Sequence, residues 1–197
     1  MADANSGSDI PIEPMSLEAQ KFYKESFLPQ YEALIKDVER TPLVIMIWGP
    51  GPTGGDLYKK RLQILNSLRD SGHVALLSEE VDRDLPVEHI PANARELLQA
   101  MKANFIVVIQ GSPGSIAEVH DFGGLLRELG PKMLIFIDER SQEGYSFAGL
   151  LTELTTLYGN VETYEYPKDI NECFLLQKVR AKIQVLQFAE WRKKVVR

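Results

Sequence analysis

The residues best placed to do chemistry gather in one stretch, Gln110–Asp121, which reads QGSPGSIAEVHD. A single carboxylate, Glu118, stands one turn into a predicted helix, and a Gly/Ser turn precedes it. Two readings of this pattern stand side by side. In one, Ser115 caps the helix and Glu118, three residues on, completes a capping box, its charge favoured by the helix N-terminus. In the other, the hydroxyls of Ser112 and Ser115 and the backbone N–H groups around Gly114 hold a phosphate or ribose, and Glu118 serves as nucleophile or base. The stretch alone leaves the two even.

A second glycine-rich turn, Gly49–Gly55 (GPGPTGG), follows the apolar run Leu43–Trp48. It lacks the Lys-Ser/Thr pair of a phosphate-binding P-loop. Gly49, Gly51 and Gly54 have the G-x-G-x-x-G spacing, but Pro50 and Pro52 stiffen the turn away from a dinucleotide fingerprint. Its place after a strand favours a loop whose N–H groups face an anionic or sugar group over a plain strand-to-helix turn. A further acid, Glu96, lies on the helix before the third strand; its own surroundings read as a surface acid on an amphipathic helix. Asp138 and Glu139 end the fourth strand and point toward the same rim, where acids are commonly just solvated. His73, His89 and His120 have no ligand spacing, so a metal site is not expected. There is no nucleophile elbow.

The elements that must position these groups alternate strand and helix. Strands are predicted at Leu43–Trp48, His73–Leu77, Phe105–Ile109, Met133–Ile137 and Val161–Tyr166. Helices are predicted from Asp56 to about Gly72, over Ala92–Lys102, from the Ser-Pro-Gly-Ser turn to Gly130, over 146–158, and as one long closing helix over 168–195. Strands that are apolar throughout need both sheet faces covered, which implies a five-stranded parallel doubly wound sheet, flavodoxin- or Rossmann-like, in the order 2-1-3-4-5. Ligands of such sheets bind past the carboxyl ends of the strands, at the switch point between strands 1 and 3. Both glycine-rich turns fall on that crevice. Ahead of the sheet, residues 1–15 read as a disordered leader. Residues 16–40 read as a helical extension capped by Ser16 and kinked or split by Pro29. Residues 41–197 form the α/β domain.

Bulk composition narrows the function classes. The chain has 197 residues, 44% hydrophobic and 25% charged, with a formal net charge of −6. An acidic balance argues against general nucleic-acid binding. The basic cluster Arg192-Lys193-Lys194 with Arg197 reads as a helix C-terminus complementing its dipole. Cys173 is the one cysteine, so a disulfide within the chain is excluded; it is expected as a buried, inert thiol. No run is long enough to span a membrane, the N-terminus has no secretory pattern, and a cytoplasmic location is expected.

The segments MIWGPGPTGGDLYKKRLQILNSLRDSGHVALLSEEV and ANFIVVIQGSPGSIAEVHDFGGLLRELGPKMLIFID together resemble the core of the nucleoside 2-deoxyribosyltransferase superfamily. The resemblance runs over about residues 43–138 and is greatest to the branch of 2'-deoxynucleoside 5'-monophosphate N-glycosidases; a similar Ser-Pro-Gly-Ser-x-x-Glu stretch occurs in antiviral-defence relatives. It implies that Glu118 is the catalytic glutamate at the sugar C1' and that Glu96 stands where the family has an acid/base aspartate. It also implies that Ser112, Gly114 and Ser115 form the turn that holds the 5'-phosphate or sugar, with Gly49, Gly51, Gly54 and Tyr58 beside them. Glu replaces Asp at position 96, and Ser112 stands where the transferases have an Asp-rich turn, which favours hydrolysis over transfer.

The expectation is therefore an N-glycosidase that cleaves the base–sugar bond of a nucleoside, a nucleotide or NAD, without a cofactor. The resemblance implies a homodimer or higher oligomer. Two other readings use the same crevice: a non-catalytic nucleotide-sensing module, and a toxin-like effector held by a regulatory protein partner. The lysine-decarboxylase-like phosphoribohydrolases rank lower, because SPGSIAE has too few glycines for their motif.

Overall fold

A computed structural model describes residues 14–84, 89–111, 125–141, 149 and 151–196. The chain divides into two compact units at Val38/Glu39.

The first unit is helical. Ser16 caps α1 (Leu17–Phe22) by accepting from the Ala19 N–H at 3.2 Å. A π-helical turn, Tyr23–Phe27, then leads into α2 (Leu28–Glu39). The expected break at Pro29 is replaced by this wider turn. A proline ring clashes with the carbonyl four residues back and removes one N–H; a π turn just ahead opens the ladder where that conflict falls. Tyr23, Phe27 and Tyr31, four residues apart, stack along one side with ring centroids 5.7 and 5.8 Å apart. No residue of α1 or α2 is buried.

The second unit is a five-stranded, all-parallel sheet in the order β2-β1-β3-β4-β5, as the sequence predicts. The strands are β1 (Val44–Trp48), β2 (Val74–Leu77), β3 (Phe105–Ile109), β4 (Met133–Asp138) and β5 (Val161–Tyr164). Side chains alternate between faces along each strand, and both faces are covered. On one side Ile45, Ile47, Phe105, Val107, Ile109, Leu134 and Phe136 pack against α3 (Gly55–Asp70) and the C-terminal helix. On the other, Met46, Ile106, Val108, Ile135 and Ile137 pack against α5 (Ala92–Lys102) and the helices that flank β4, α6 (Leu126–Leu129) and α7 (Thr152–Tyr158). Each such side chain taken out of water contributes about 1.5–3 kcal/mol.

Three local expectations need correction. A helix absent from the predicted elements, α4 (Ser78–Asp84), follows β2. Its acidic sequence shows no apolar period, but the Glu80 carboxylate accepts from the Leu77 N–H at 2.9 Å and pairs with Arg69, which starts the helix from the side-chain end. The single closing helix is two, α8 (Lys168–Asn171) and α9 (Phe174–Val195). Glu172 between them is extended, and its carbonyl accepts from Lys60 Nζ at 2.7 Å. Cys173 therefore caps α9 from outside and is exposed rather than buried. Among the described residues no helix is long and apolar enough to cross a membrane.

Candidate functional site

Parallel strands deliver their chain ends to one edge of the sheet, and at that edge lies a cavity of about 340 Å³. Its walls come from the start of α3 (Gly54, Leu57), the end of β3 (Gln110, Gly111), the end of β4 (Asp138, Arg140, Ser141) and the end of β5 (Tyr164, Tyr166). This is the carboxyl rim that the strand order singles out for ligands.

The first glycine turn meets the end of β3 here. Gly49 adopts φ +149, and a Cβ on it would sit 2.8 Å from the Ile109 carbonyl oxygen; only glycine lets β1 leave the sheet this close to β3. The Pro50 ring then packs into the space a side chain would need at Gly54 and at Gly111. The first loop is thus pinned against the end of β3. Arg61, on α3 and 1% exposed, fixes it from beneath. Its Nη1 donates to the Pro50 carbonyl of the loop at 3.4 Å; its Nε and Nη2 donate to the Ile47 carbonyl at 3.0 and 2.6 Å, and its Nη1 and Nη2 each donate to Glu79 at 2.8 Å. Burial alone would raise the Glu79 carboxyl, but the Arg61 hydrogen bonds outweigh it and hold that pKa down.

The floor of the cavity is a hydrogen-bonded frame. The Gln110 N–H donates to the Phe136 carbonyl at 2.9 Å, and the Gln110 carbonyl accepts from the Tyr164 hydroxyl at 2.9 Å, reaching across β4 from β5. Both backbone groups of Gln110 are therefore used, while its side-chain Oε1 is buried with no partner among the described residues. Burial, reinforced by the nearby Asp138 charge, pushes the Tyr164 phenol far above its ordinary range; it stays a neutral donor. Asp138 is register partner to Tyr164. Its carboxylate accepts from Arg140 Nε at 2.9 Å and also pairs with Arg140 Nη2. That pairing holds the Asp138 carboxyl below the usual carboxylate range. The Arg140 guanidinium lies 5.2 Å from the centre of the Tyr166 ring.

Among the residues singled out in the sequence, Gly54 lines the cavity, and Gly49 and Gly51 belong to the loop that bounds it. Tyr58 is half-buried one turn into α3 and does not line it. Glu96 is half-buried in the second turn of α5, the helix packed on the opposite sheet face, and does not line it either. Ser112, Gly114, Ser115 and Glu118 lie outside the described residues. Gln110, Arg140, Tyr164 and Tyr166 are site residues that the sequence reading missed. The signal was present in strand ends: Gln110 closes the β3 run, and the aromatic pair in TYEYP closes β5. Among the described residues no group of three or more His, Cys, Asp or Glu is placed to hold a metal.

Fold and cavity together define a parallel doubly wound α/β protein with a polar crevice on its carboxyl rim. No protein-family model matches the chain, and no curated protein matches its sequence.

Proposed function

We propose that the protein is an N-glycosidase that hydrolyses the base–sugar bond of a nucleoside, nucleotide or NAD. The observation that supports the reading most is the polar cavity at the carboxyl rim, into which β3 delivers Gln110 and Gly111 directly ahead of the Ser112–Glu118 segment. A cavity of this volume falls in the range of small-molecule sites. The roles of Glu118 and of Ser112, Gly114 and Ser115 rest on the resemblance of QGSPGSIAE to the glycosidase turn.

In this mechanism the bond between C1' and the base nitrogen breaks, and its electron pair leaves with the base, which takes up a proton. The Glu118 carboxylate stabilises the oxocarbenium character at C1' or captures it as an ester, and water then supplies the oxygen that ends on C1'. Glu96 is the second carboxyl of the proposal, as proton donor to the leaving base; since it does not line the described cavity, that role rests on the resemblance alone. The chemistry requires no redox cofactor. The same reading carries a homodimeric or higher assembly in which neighbouring chains close each site, in a cytoplasmic setting.

The test is a panel assay. Wild-type protein and Glu118→Gln are incubated with deoxynucleotides, ribonucleotides, nucleosides and NAD, and free base is resolved by chromatography. Base release by the wild type and its loss in the folded variant is the expected result. Absence of release from every substrate would overturn the hydrolase and favour a sensing module on the same rim.

A further inference from the structure

We infer that the cluster Gln110–Asp138–Arg140–Tyr166 is a subsite for a neutral, planar, hydrogen-bonding ring, the nucleobase of the ligand, rather than for its phosphate or sugar. The inference rests on the nucleoside-cleaving reading above and adds which end of the substrate this part of the rim receives.

Charge comes first. Arg140 is the one cation lining the cavity among the described residues, and it would be the obvious phosphate ligand. Its Nε and Nη2 are already committed to Asp138, in the fork geometry that carboxylates and phosphates compete for. The pair leaves the cluster without net charge. An anion on the remaining guanidinium donors would face the Asp138 carboxylate at close range, so the cluster does not attract one as an unpaired arginine would.

Shape and hydrogen bonding come second. Tyr166 and Arg140 both line the cavity, and the guanidinium lies over the Tyr166 ring, so the two form one π-rich wall against which a flat ring can stack. Gln110 is 9% exposed, its backbone is held at both ends, and its Oε1 is buried without a partner among the described residues. A buried amide oxygen left unpaired is unfavourable, and a ring N–H or exocyclic amine would satisfy it. A glutamine amide carries a donor and an acceptor side by side, the complement of a base edge. A phosphate, which offers only acceptors when ionised, cannot satisfy Oε1.

The experiment measures binding and not turnover, so that its failure and the failure of the glycosidase reading are separable. Adenine, guanine, cytosine, thymine and nicotinamide, and separately ribose 5-phosphate, are titrated into the full chain by saturation-transfer NMR. The variants are Tyr166→Leu, Tyr166→Phe and Gln110→Met, each checked for an intact fold by circular dichroism. At least one free base is expected to bind the wild type. That binding weakens about tenfold or more in Tyr166→Leu and in Gln110→Met, the scale of a lost base–aromatic stack. Tyr166→Phe, which keeps the ring, retains binding, and ribose 5-phosphate binds all forms alike. The inference is overturned if no base binds, if Tyr166→Leu and Gln110→Met bind bases as the wild type does, or if ribose 5-phosphate is the ligand these two variants lose. Base binding by a protein that releases no base from any substrate would uphold the subsite and overturn only the hydrolase.

Discussion

Replacing Arg61 by Met tests whether the first loop is clamped from below. The substitution keeps the buried stem and removes the guanidinium with its donors to Pro50 in the loop, to Ile47 and to Glu79. Removing one partner of a fully buried ion pair costs about 3–5 kcal/mol. Here Glu79 is exposed, with 47% of its side chain open to water, so its carboxylate is readily solvated and most of that figure falls away. The Ile47 carbonyl loses two donors in a buried setting, worth about 1–3 kcal/mol. The expected loss is thus about 2–3 kcal/mol. For a chain of this size, at about 2–4 °C per kcal/mol, Tm should drop by about 4–12 °C. Urea titration followed by circular dichroism reads the free energy directly, and an unchanged slope shows that the unfolded state is the same. Glu79→Gln is the comparison: it leaves Arg61 on the Ile47 carbonyl and should cost less than half as much. If Arg61→Met cost no more than Glu79→Gln, or under about 1 kcal/mol, the guanidinium would not be the anchor of the loop.

Two further outcomes follow from groups beside the sheet. Tyr164→Phe removes the hydroxyl that donates to the Gln110 carbonyl; a loss of about 1–2 kcal/mol in urea titration is expected, and a neutral result would mean the hydroxyl does not hold β5 to β3. His73 Nδ1 accepts from the Leu43 N–H at 3.3 Å, and burial holds the imidazole pKa below its ordinary value. Its folded pKa is depressed, so the unfolded chain takes up the proton first. The contribution to stability is present above about pH 6.5 and is lost as pH falls from there toward the folded pKa. Tm measured between pH 7.5 and 5.5 should fall less steeply in His73→Gln than in the wild type, and equal slopes would refute the assignment.

The sheet was legible in the sequence because its strands are short apolar runs bounded by Gly and Pro, and because such runs need cover on both faces. Strand order followed from the alternation with helices. α4 was not legible: SEEVDRD carries no apolar period, and what starts it is the reach of Glu80 back to Leu77. The break at Glu172–Cys173 was hidden for a related reason, since apolar residues continue on both sides and the interruption is set by Lys60, more than a hundred residues earlier. At the rim, the approach of the first glycine turn to the end of β3 could be expected from topology. The Asp138–Arg140–Tyr166 cluster could not, because an acid at the end of a strand looks like any solvated acid until Arg140, two residues on, folds back onto it and the Tyr166 ring beyond β5 meets the pair.

The all-parallel pairing also sets the order in which the molecule can be made. Ile45 pairs with Phe105 and Val44 with Val74, so every strand waits for a full crossover of chain before it finds a neighbour, and no hairpin can form early. Contacts of this long range make folding slow relative to helical proteins. Of the sheet unit, β1, α3 and β2 leave the ribosome first, with the second edge of β1 open until β3 arrives. An apolar strand with an unpaired edge invites pairing with another chain. During synthesis, the interval between residues 77 and 105 is therefore when the growing polypeptide most needs shielding from its own copies.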